Sequence, residues 1–205
     1  MNLKNKIVIG ITGGIASGKT TAASYFHKKG IQIIDADKIG HTILEKEDIK
    51  ETITATFGKD IVSNNRINRK KLGILVFQNP EKLKILNKII HPILVKEIKQ
   101  KLELSSENII VIDAALLLVW DLDIICNYVI LITTKKEAQI YRLMTNQKLT
   151  KKDVISRINS QKKPTIKKDF IIIENNSTLL SFQEKIQKVY NLIIIENRNW
   201  KFDTV

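Results

Sequence analysis

The chain has 205 residues and a formal net charge of +13, from 34 Lys+Arg against 21 Asp+Glu, with three His and one Cys. That length holds one sizeable core with at most a small appended lobe, and a lone cysteine excludes an internal disulfide and a multi-cysteine zinc site. The lysines spread along the whole chain and no aromatics interleave with them as stacking platforms, so a solvated basic surface is expected, with no nucleic-acid partner.

The predicted elements begin with an apolar strand over 6–12. A Gly-rich loop and a helix over 19–29 follow, then a second strand, "IQII" at 31–34, running into Asp35-Ala36-Asp37. Residues 38–57 read as one helix that stops near Phe57-Gly58. Asn79-Pro80 opens another, an Asn cap with Pro in the first turn, and Leu83, Leu86 and Ile90 follow at helical spacing. Pro92 lacks an N–H and crowds the preceding turn, so it is expected to kink or restart that helix. "NIIVID" at 108–113 and "NYVILI" at 127–132 are the third and fourth strands. Thr134-x-x-Glu137 and Thr150-x-x-Asp153 each have the form of a capping box. "FIII" at 170–173 is a fifth strand, 178–190 a last helix, and "NRNWKFDTV" a candidate mobile tail. Continuous apolar strands alternating with helices imply an α/β fold with a parallel sheet. No apolar run reaches the ~20 residues that span a bilayer, and the N-terminus shows no signal cleavage site. A cytoplasmic monomer without membrane contact is expected.

Gly13-Gly14-Ile15-Ala16-Ser17-Gly18-Lys19-Thr20 fills every fixed position of the phosphate-binding pattern G-x-x-x-x-G-K-[ST]. Glycines let successive N–H groups point at phosphates, and the following helix adds its positive end. Lys19 is then the side chain for the β/γ-phosphates and Thr20 a ligand for Mg²⁺. Asp35 and Asp37 fall at the carboxyl end of the second strand, the rim on which parallel sheets bind ligands. A carboxylate there can orient an acceptor hydroxyl and take its proton, with Asp37 preferred; capping the next helix is the competing use. Asp113 is a Walker B-like acid that could hold Mg²⁺ through water, or a helix cap. Gln139 with Arg142, and Arg157 with Gln161, are either solvated or set to clamp a transferring phosphoryl group. His91, before Pro92, reads by itself as a packed or capping histidine.

Taken in order, the segments resemble the dephospho-coenzyme A kinase family. "TGGIASGKTT" followed by "IIDADKI" is similar to its opening motifs. "INRKKLGILVF", through Arg69, Leu72, Val76 and Phe77, resembles its L-x-R-x-x-L-x-x-x-V-F segment, and "IIHPIL" its His-Pro motif. "VIDAALL", "QIYRLM", "SRINSQ" and "IIENNSTL" match its D-x-P-L-L, Q-x-x-R-L-M, R-I-x-x-Q and I-x-N-x-G-x-L stretches. The resemblance implies a P-loop NTPase fold like that of nucleoside monophosphate kinases, with a five-stranded parallel sheet flanked by helices. Its core would be 1–37, 106–134 and 165–195, its helical substrate lobe about 38–105 and its small lid about 135–164. It implies transfer of the ATP γ-phosphoryl group to the ribose 3′-hydroxyl of dephospho-coenzyme A, the last step of coenzyme A synthesis. ATP, Mg²⁺ and dephospho-coenzyme A are the implied ligands. Gly13 to Thr21 would cradle ATP, with Asn175 near the adenine in a register uncertain by one. Asp37, Lys19 and Arg142 would be catalytic, Asp35, Asp37, Arg69 and His91 would meet the acceptor, and Thr20 and Asp113 the metal.

The chain departs from the family pattern at five places. His41 stands for an Arg, Ala115 for the Pro and Val119 for the Glu of D-x-P-L-L-F-E, and Asn146 for a lid Arg. A neutral imidazole cannot reproduce an arginine's bidentate grip. Ala16 stands for a glycine in the loop. Three other readings stay open on sequence: another small-molecule kinase of this fold, a nucleotide-dependent switch, or a basic nucleic-acid module. The guanine-reading motif of GTP switches is missing.

Overall fold

The structure, a computed structural model, describes residues 6–147, 150–159 and 169–200. Five parallel strands form its centre: β1 (Ile7–Gly13), β2 (Gln32–Asp35), β5 (Ile109–Asp113), β6 (Tyr128–Thr133) and β7 (Phe170–Glu174), in the order β2-β5-β1-β6-β7. Helix α1 (Lys19–Lys28) follows β1. Between β2 and β5 the chain inserts α2 (Ala36–Ile43), α3 (Glu47–Phe57), a hairpin of β3 (Val62–Ser63) and β4 (Arg66–Ile67), then α4 (Arg69–Phe77) and α5 (Pro80–Leu104). Helices α6 (Lys136–Gln147) and α7 (Lys151–Asn159) lie between β6 and β7, and α8 (Leu179–Trp200) follows β7.

The three central strands β5, β1 and β6 are buried on both faces, which is why they read as unbroken apolar runs, while the edge strands β2 and β7 are partly exposed. Alternation divides them between two cores. Ile110 and Ile112 of β5 join Ile39, Ile43, Ile53, Leu94, Ile98 and Leu102 on the side of the helical insertion. Val111, with Ile9 and Ile11, joins Phe26 of α1 and Phe182 and Ile186 of α8 on the other. Phe26 also meets the Tyr190 ring edge-on at 5.8 Å, pinning α8 against α1. At Gly10 the first core closes onto the β1 backbone: a Cβ there would stand 2.7 Å from Leu117 Cδ1 and 2.9 Å from Cys126 Sγ. Burial, then the Asp123 charge, pushes the Cys126 thiol up to about 12; it packs as a neutral group.

Four expectations change. The predicted helix over 38–57 is two helices, broken at Leu44 to Lys46. Ile49 lies six residues beyond Ile43, a step of about 240° around a continuous helix, and the break brings both into one core. Helix α5 does not restart at Pro92 but runs unbroken from Pro80 to Leu104. Pro92 and Lys88 are both exposed, so the carbonyl that loses its partner faces water. The Asn64-Asn65 turn, φ 51° and 58°, makes a hairpin of the kind that needs two left-handed residues, which the sequence reading passed over. The last helix extends to Trp200 rather than 190, taking in half of the candidate tail.

Two glycine substitutions test this packing. Gly10→Ala is expected to lower stability by about 1–3 kcal/mol through overpacking. Gly73→Ala, where a Cβ meets only the Phe77 ring at 3.7 Å, should raise it by roughly 0.5–1 kcal/mol as a helix-interior Gly-to-Ala change. Urea denaturation midpoints measure both; equal effects would contradict the close approach at Gly10.

Candidate active site

Strand β1 delivers the loop to the carboxyl edge of the sheet, and the local geometry follows from its small residues. Gly13 sits where a Cβ would meet the Ile132 carbonyl at 2.6 Å, and Gly18, at φ 106°, begins α1 with no side-chain cap on that helix. The first N–H groups of α1 therefore face the cavity above the loop, a helix end suited to anions. The cavity, about 520 Å³, is lined by residues 13–21 with Ala115, Arg142, Asn175, Ser177, Leu179 and Phe182. Ala16 adopts φ 56°, a left-handed conformation that costs an L-residue roughly 1–2 kcal/mol.

Beside the loop lie the acids. The register sets Asp113 opposite Asp35 on one side and Ile11 on the other, so β5 carries its carboxylate between β2 and the loop. Lys19 Nζ stands 2.5 Å from Asp113 Oδ1 and 3.4 Å from Asp37 Oδ2. Burial alone would lower the Lys19 ammonium, but the hydrogen bond and charge of Asp113, then the charge of Asp37, hold it above its ordinary value. Burial raises the Asp113 carboxyl; Lys19 opposes this, the charges of Asp37 and Asp35 reinforce it, and the net direction is upward. Both Asp37 oxygens accept from the Ala115 N–H, at 3.2 and 3.0 Å. Asp35 instead caps α2, its Oδ1 accepting from the Lys38 N–H at 2.8 Å. The two aspartates, two residues apart in sequence, have different neighbours.

One turn beyond Asp37 on the same face of α2 is His41. Burial and then the Arg69 charge lower its imidazole below the usual value, against the pull of Asp37 and Asp35. Arg69 is exposed at the start of α4, and its charge is felt at His41. His91 does not line the loop cavity; it lies half-buried in α5, its Nε2 enclosed without a hydrogen-bond partner among the described residues. Gln139 and Arg142 reach the loop itself, Gln139 Nε2 donating to the Ile15 carbonyl at 3.0 Å and Arg142 Nη1 to that of Ala16 at 3.1 Å. Asn175, not Asn176, meets the loop, its Nδ2 donating to the Ser17 carbonyl at 2.8 Å. Asn176 caps α6 by accepting from the Lys135 N–H, 2.8 Å. The expected Thr134–Glu137 box is replaced by this, with the Thr134 hydroxyl donating to the Asn175 carbonyl. The Thr150–Asp153 pair does hydrogen-bond. Arg157 is exposed on α7; Gln161 and the Asn146 side chain lie outside the described residues. The sequence reading missed the Ala115 N–H and the cavity wall at Ser177, Leu179 and Phe182. Ala115, Ser177 and Leu179 do stand in the family-like segments "VIDAALL" and "IIENNSTL", a signal that marks the segment but not which group faces the site.

Thr20 and Asp113 offer oxygen donors of the kind a magnesium ion takes, though no group of three or more His, Cys, Asp or Glu among the described residues could hold a metal by itself. Thr20 is exposed at the mouth of the loop helix, and Asp113 is crowded by two further carboxylates whose charges disfavour its ionisation. A hard cation takes oxygen ligands of this kind, completed by phosphate and water.

A glycine loop closing onto a helix N-terminus, with one acid from a neighbouring strand end and one from α2 facing its lysine, defines a P-loop nucleotide-binding protein. A family model described as dephospho-CoA kinase matches residues 7–181. The chain is 38% identical over 187 residues to the dephospho-CoA kinase of Fusobacterium nucleatum, covering 89% of this chain and 96% of that protein. It is 39% identical over 186 residues to that of Lactobacillus johnsonii, covering 87% and 93%. The solved dephospho-CoA kinase of Campylobacter jejuni superposes with a TM-score of 0.61 at 30% identity, covering 93% of this chain and 98% of that one. TT1252 from Thermus thermophilus shares the fold, with a TM-score of 0.75 at 24% identity over 94% and 98%. The chain belongs to the dephospho-CoA kinase family. No helix among the described residues is long and apolar enough to cross a membrane.

The electrostatics of α2 give a pH prediction. The folded chain disfavours the charged His41 imidazole, so its contribution to stability is in place above pH 6.5 and is lost as pH falls through the lowered folded value. By NMR, His41 should titrate below 6.5. Arg69→Gln should move its midpoint up and Asp37→Asn move it down. An Arg69→Gln variant with an unmoved midpoint would show that the Arg69 charge does not reach His41.

Proposed function

We propose that the chain is an ATP-dependent kinase that phosphorylates the ribose 3′-hydroxyl of dephospho-coenzyme A, giving coenzyme A and ADP. The observation that carries the reading is the 3.4 Å approach of Asp37 to Lys19. It sets a carboxylate of the helical insertion against the lysine of the phosphate loop, where acceptor and donor have to meet. Family membership names the acceptor.

In this reading Gly13 to Thr21 hold the triphosphate, Lys19 turns from its carboxylates to the β/γ-phosphates, and Asn175 closes the nucleotide side. Asp37, steadied by the Ala115 N–H, accepts the 3′-hydroxyl proton. The oxygen so freed bonds to the γ-phosphorus, the bond from that phosphorus to the ADP oxygen breaks, and ADP leaves. Arg142, in the cavity wall, adds a fixed cation beside the transferring group. Thr20 and Asp113 would hold Mg²⁺, which supplies charge neutralisation of the phosphates when bound. Asp35, Arg69 and His91 are assigned to the acceptor side, Asp35 through the start of α2 that it caps. Residues of about 38–105 serve as the acceptor lobe, about 135–164 as a lid, and the remainder, 1–37, 106–134 and 165–195, as the core.

The purified protein should convert dephospho-coenzyme A and ATP to coenzyme A in preference to nucleosides and nucleoside monophosphates. Asp37→Asn should lower kcat by about 10²–10⁴-fold, the usual contribution of a positioned base, while the KM for ATP changes less than about threefold. Wild-type turnover in that variant would reject Asp37 as the base. Failure to phosphorylate dephospho-coenzyme A would reject the acceptor.

A further inference from the structure

A loop that turns its N–H groups inward to a phosphate turns carbonyls outward, and enclosed carbonyls need donors. Three successive ones are served here from outside the loop. Gln139 donates to Ile15 O at 3.0 Å, Arg142 Nη1 to Ala16 O at 3.1 Å and to Ser17 O at 3.4 Å, and Asn175 Nδ2 to Ser17 O at 2.8 Å. The second arm of Arg142 is tied to Asn175, Nη2 donating to its carbonyl at 2.9 Å and to Oδ1 at 3.1 Å. These side chains stand on an anchored base: the Asn175 N–H donates to the Thr133 carbonyl at 2.8 Å, and Thr134 and Lys135 bond Asn175 and Asn176 at the start of α6.

We propose that Gln139, Arg142 and Asn175 form a strap that holds the phosphate-binding loop in its ligand-ready shape. Gln139 is a positioning residue for nucleotide binding. The strap matters most in this chain because Ala16 holds φ 56° with a Cβ present, and the carbonyl of that strained residue is the one Arg142 takes. Without the strap, the loop would relax from the conformation that aims its N–H groups. The same bonds link α6 to the nucleotide, since a displacement of α6 must withdraw Gln139 and Arg142 from the loop.

The inference rests on the kinase reading only in taking a nucleoside triphosphate as the loop's ligand, so it is tested without an acceptor. A non-hydrolysable ATP analogue with magnesium is titrated calorimetrically into the full chain and into Gln139→Met, which keeps side-chain length and removes the donor. Removing the Gln139 bond to the Ile15 carbonyl should weaken binding about tenfold. Ala16→Gly should recover about threefold or more of that loss in the Met background, a larger effect than the same change has in the wild-type chain, since it relieves the strain that the strap otherwise offsets. Hydrogen exchange of the 14–18 amides should quicken in nucleotide-free Gln139→Met. In turnover, KM for ATP should rise while kcat stays within about threefold. Unchanged analogue affinity in Gln139→Met, or an Ala16→Gly effect equal in both backgrounds, would overturn the strap and leave the kinase reading standing. No binding by the wild-type chain would overturn both.

Discussion

The Lys19 ammonium is the point at which three chain segments meet. It belongs to the loop after β1, and its carboxylates come from the end of β5 and the start of α2. The three side chains are only 15–29% exposed, deep enough that any one of them left alone would carry a poorly solvated charge. That requirement binds the helical insertion to the nucleotide-binding edge of the sheet. Helix α2 is oriented from below by Ile39 and Ile43 in the core shared with α5, and Gly40 lets the Trp120 ring close in on it. The position of Asp37 is thus set by apolar packing on one side of α2 and by charge on the other.

The chain's departures from its family pattern acquire definite surroundings. Ala115 replaces a proline and so has an N–H, and that N–H is the donor Asp37 accepts. Val119 cannot accept a hydrogen bond through its side chain, but its carbonyl accepts from Asn87 Nδ2 at 3.3 Å, which fastens the segment after β5 to α5. His41 loses the permanent charge of an arginine, while Arg69 comes close enough from α4 to depress its imidazole. Ala16 holds a left-handed backbone where the family pattern has a glycine, with side chains from α6 and the β7–α8 connection bonded to the surrounding carbonyls.

Much of this fold was legible because its rules are local. Each of the five core strands was read to within about one residue, the central three because burial on both faces leaves a continuous apolar run. The loop was read in full, because backbone curvature and phosphate contact demand glycines, a lysine and a hydroxyl at fixed spacing. The helix break at 44–46 was not legible: Leu44, Glu45 and Lys46 are all sound helix formers, and only the core they serve imposes the interruption. The Asn64-Asn65 hairpin could have been found, because paired left-handed asparagines are a turn signal.

The site divides along the same line. Sequence alone determined that a Gly-rich loop with Lys19 and Thr20 stands between a strand and a helix, and that acids follow at two strand ends. Those facts depend on spacing along the chain. Tertiary structure decided which acid does what: Asp35 turns back to cap α2 while Asp37 faces Lys19. It also decided that Gln139 and Arg142 reach the loop carbonyls, across more than 120 residues of chain. The reason is that a hydrogen bond is chosen by distance and direction in space, and those are set by how β5, α2 and α6 pack, which no local pattern records.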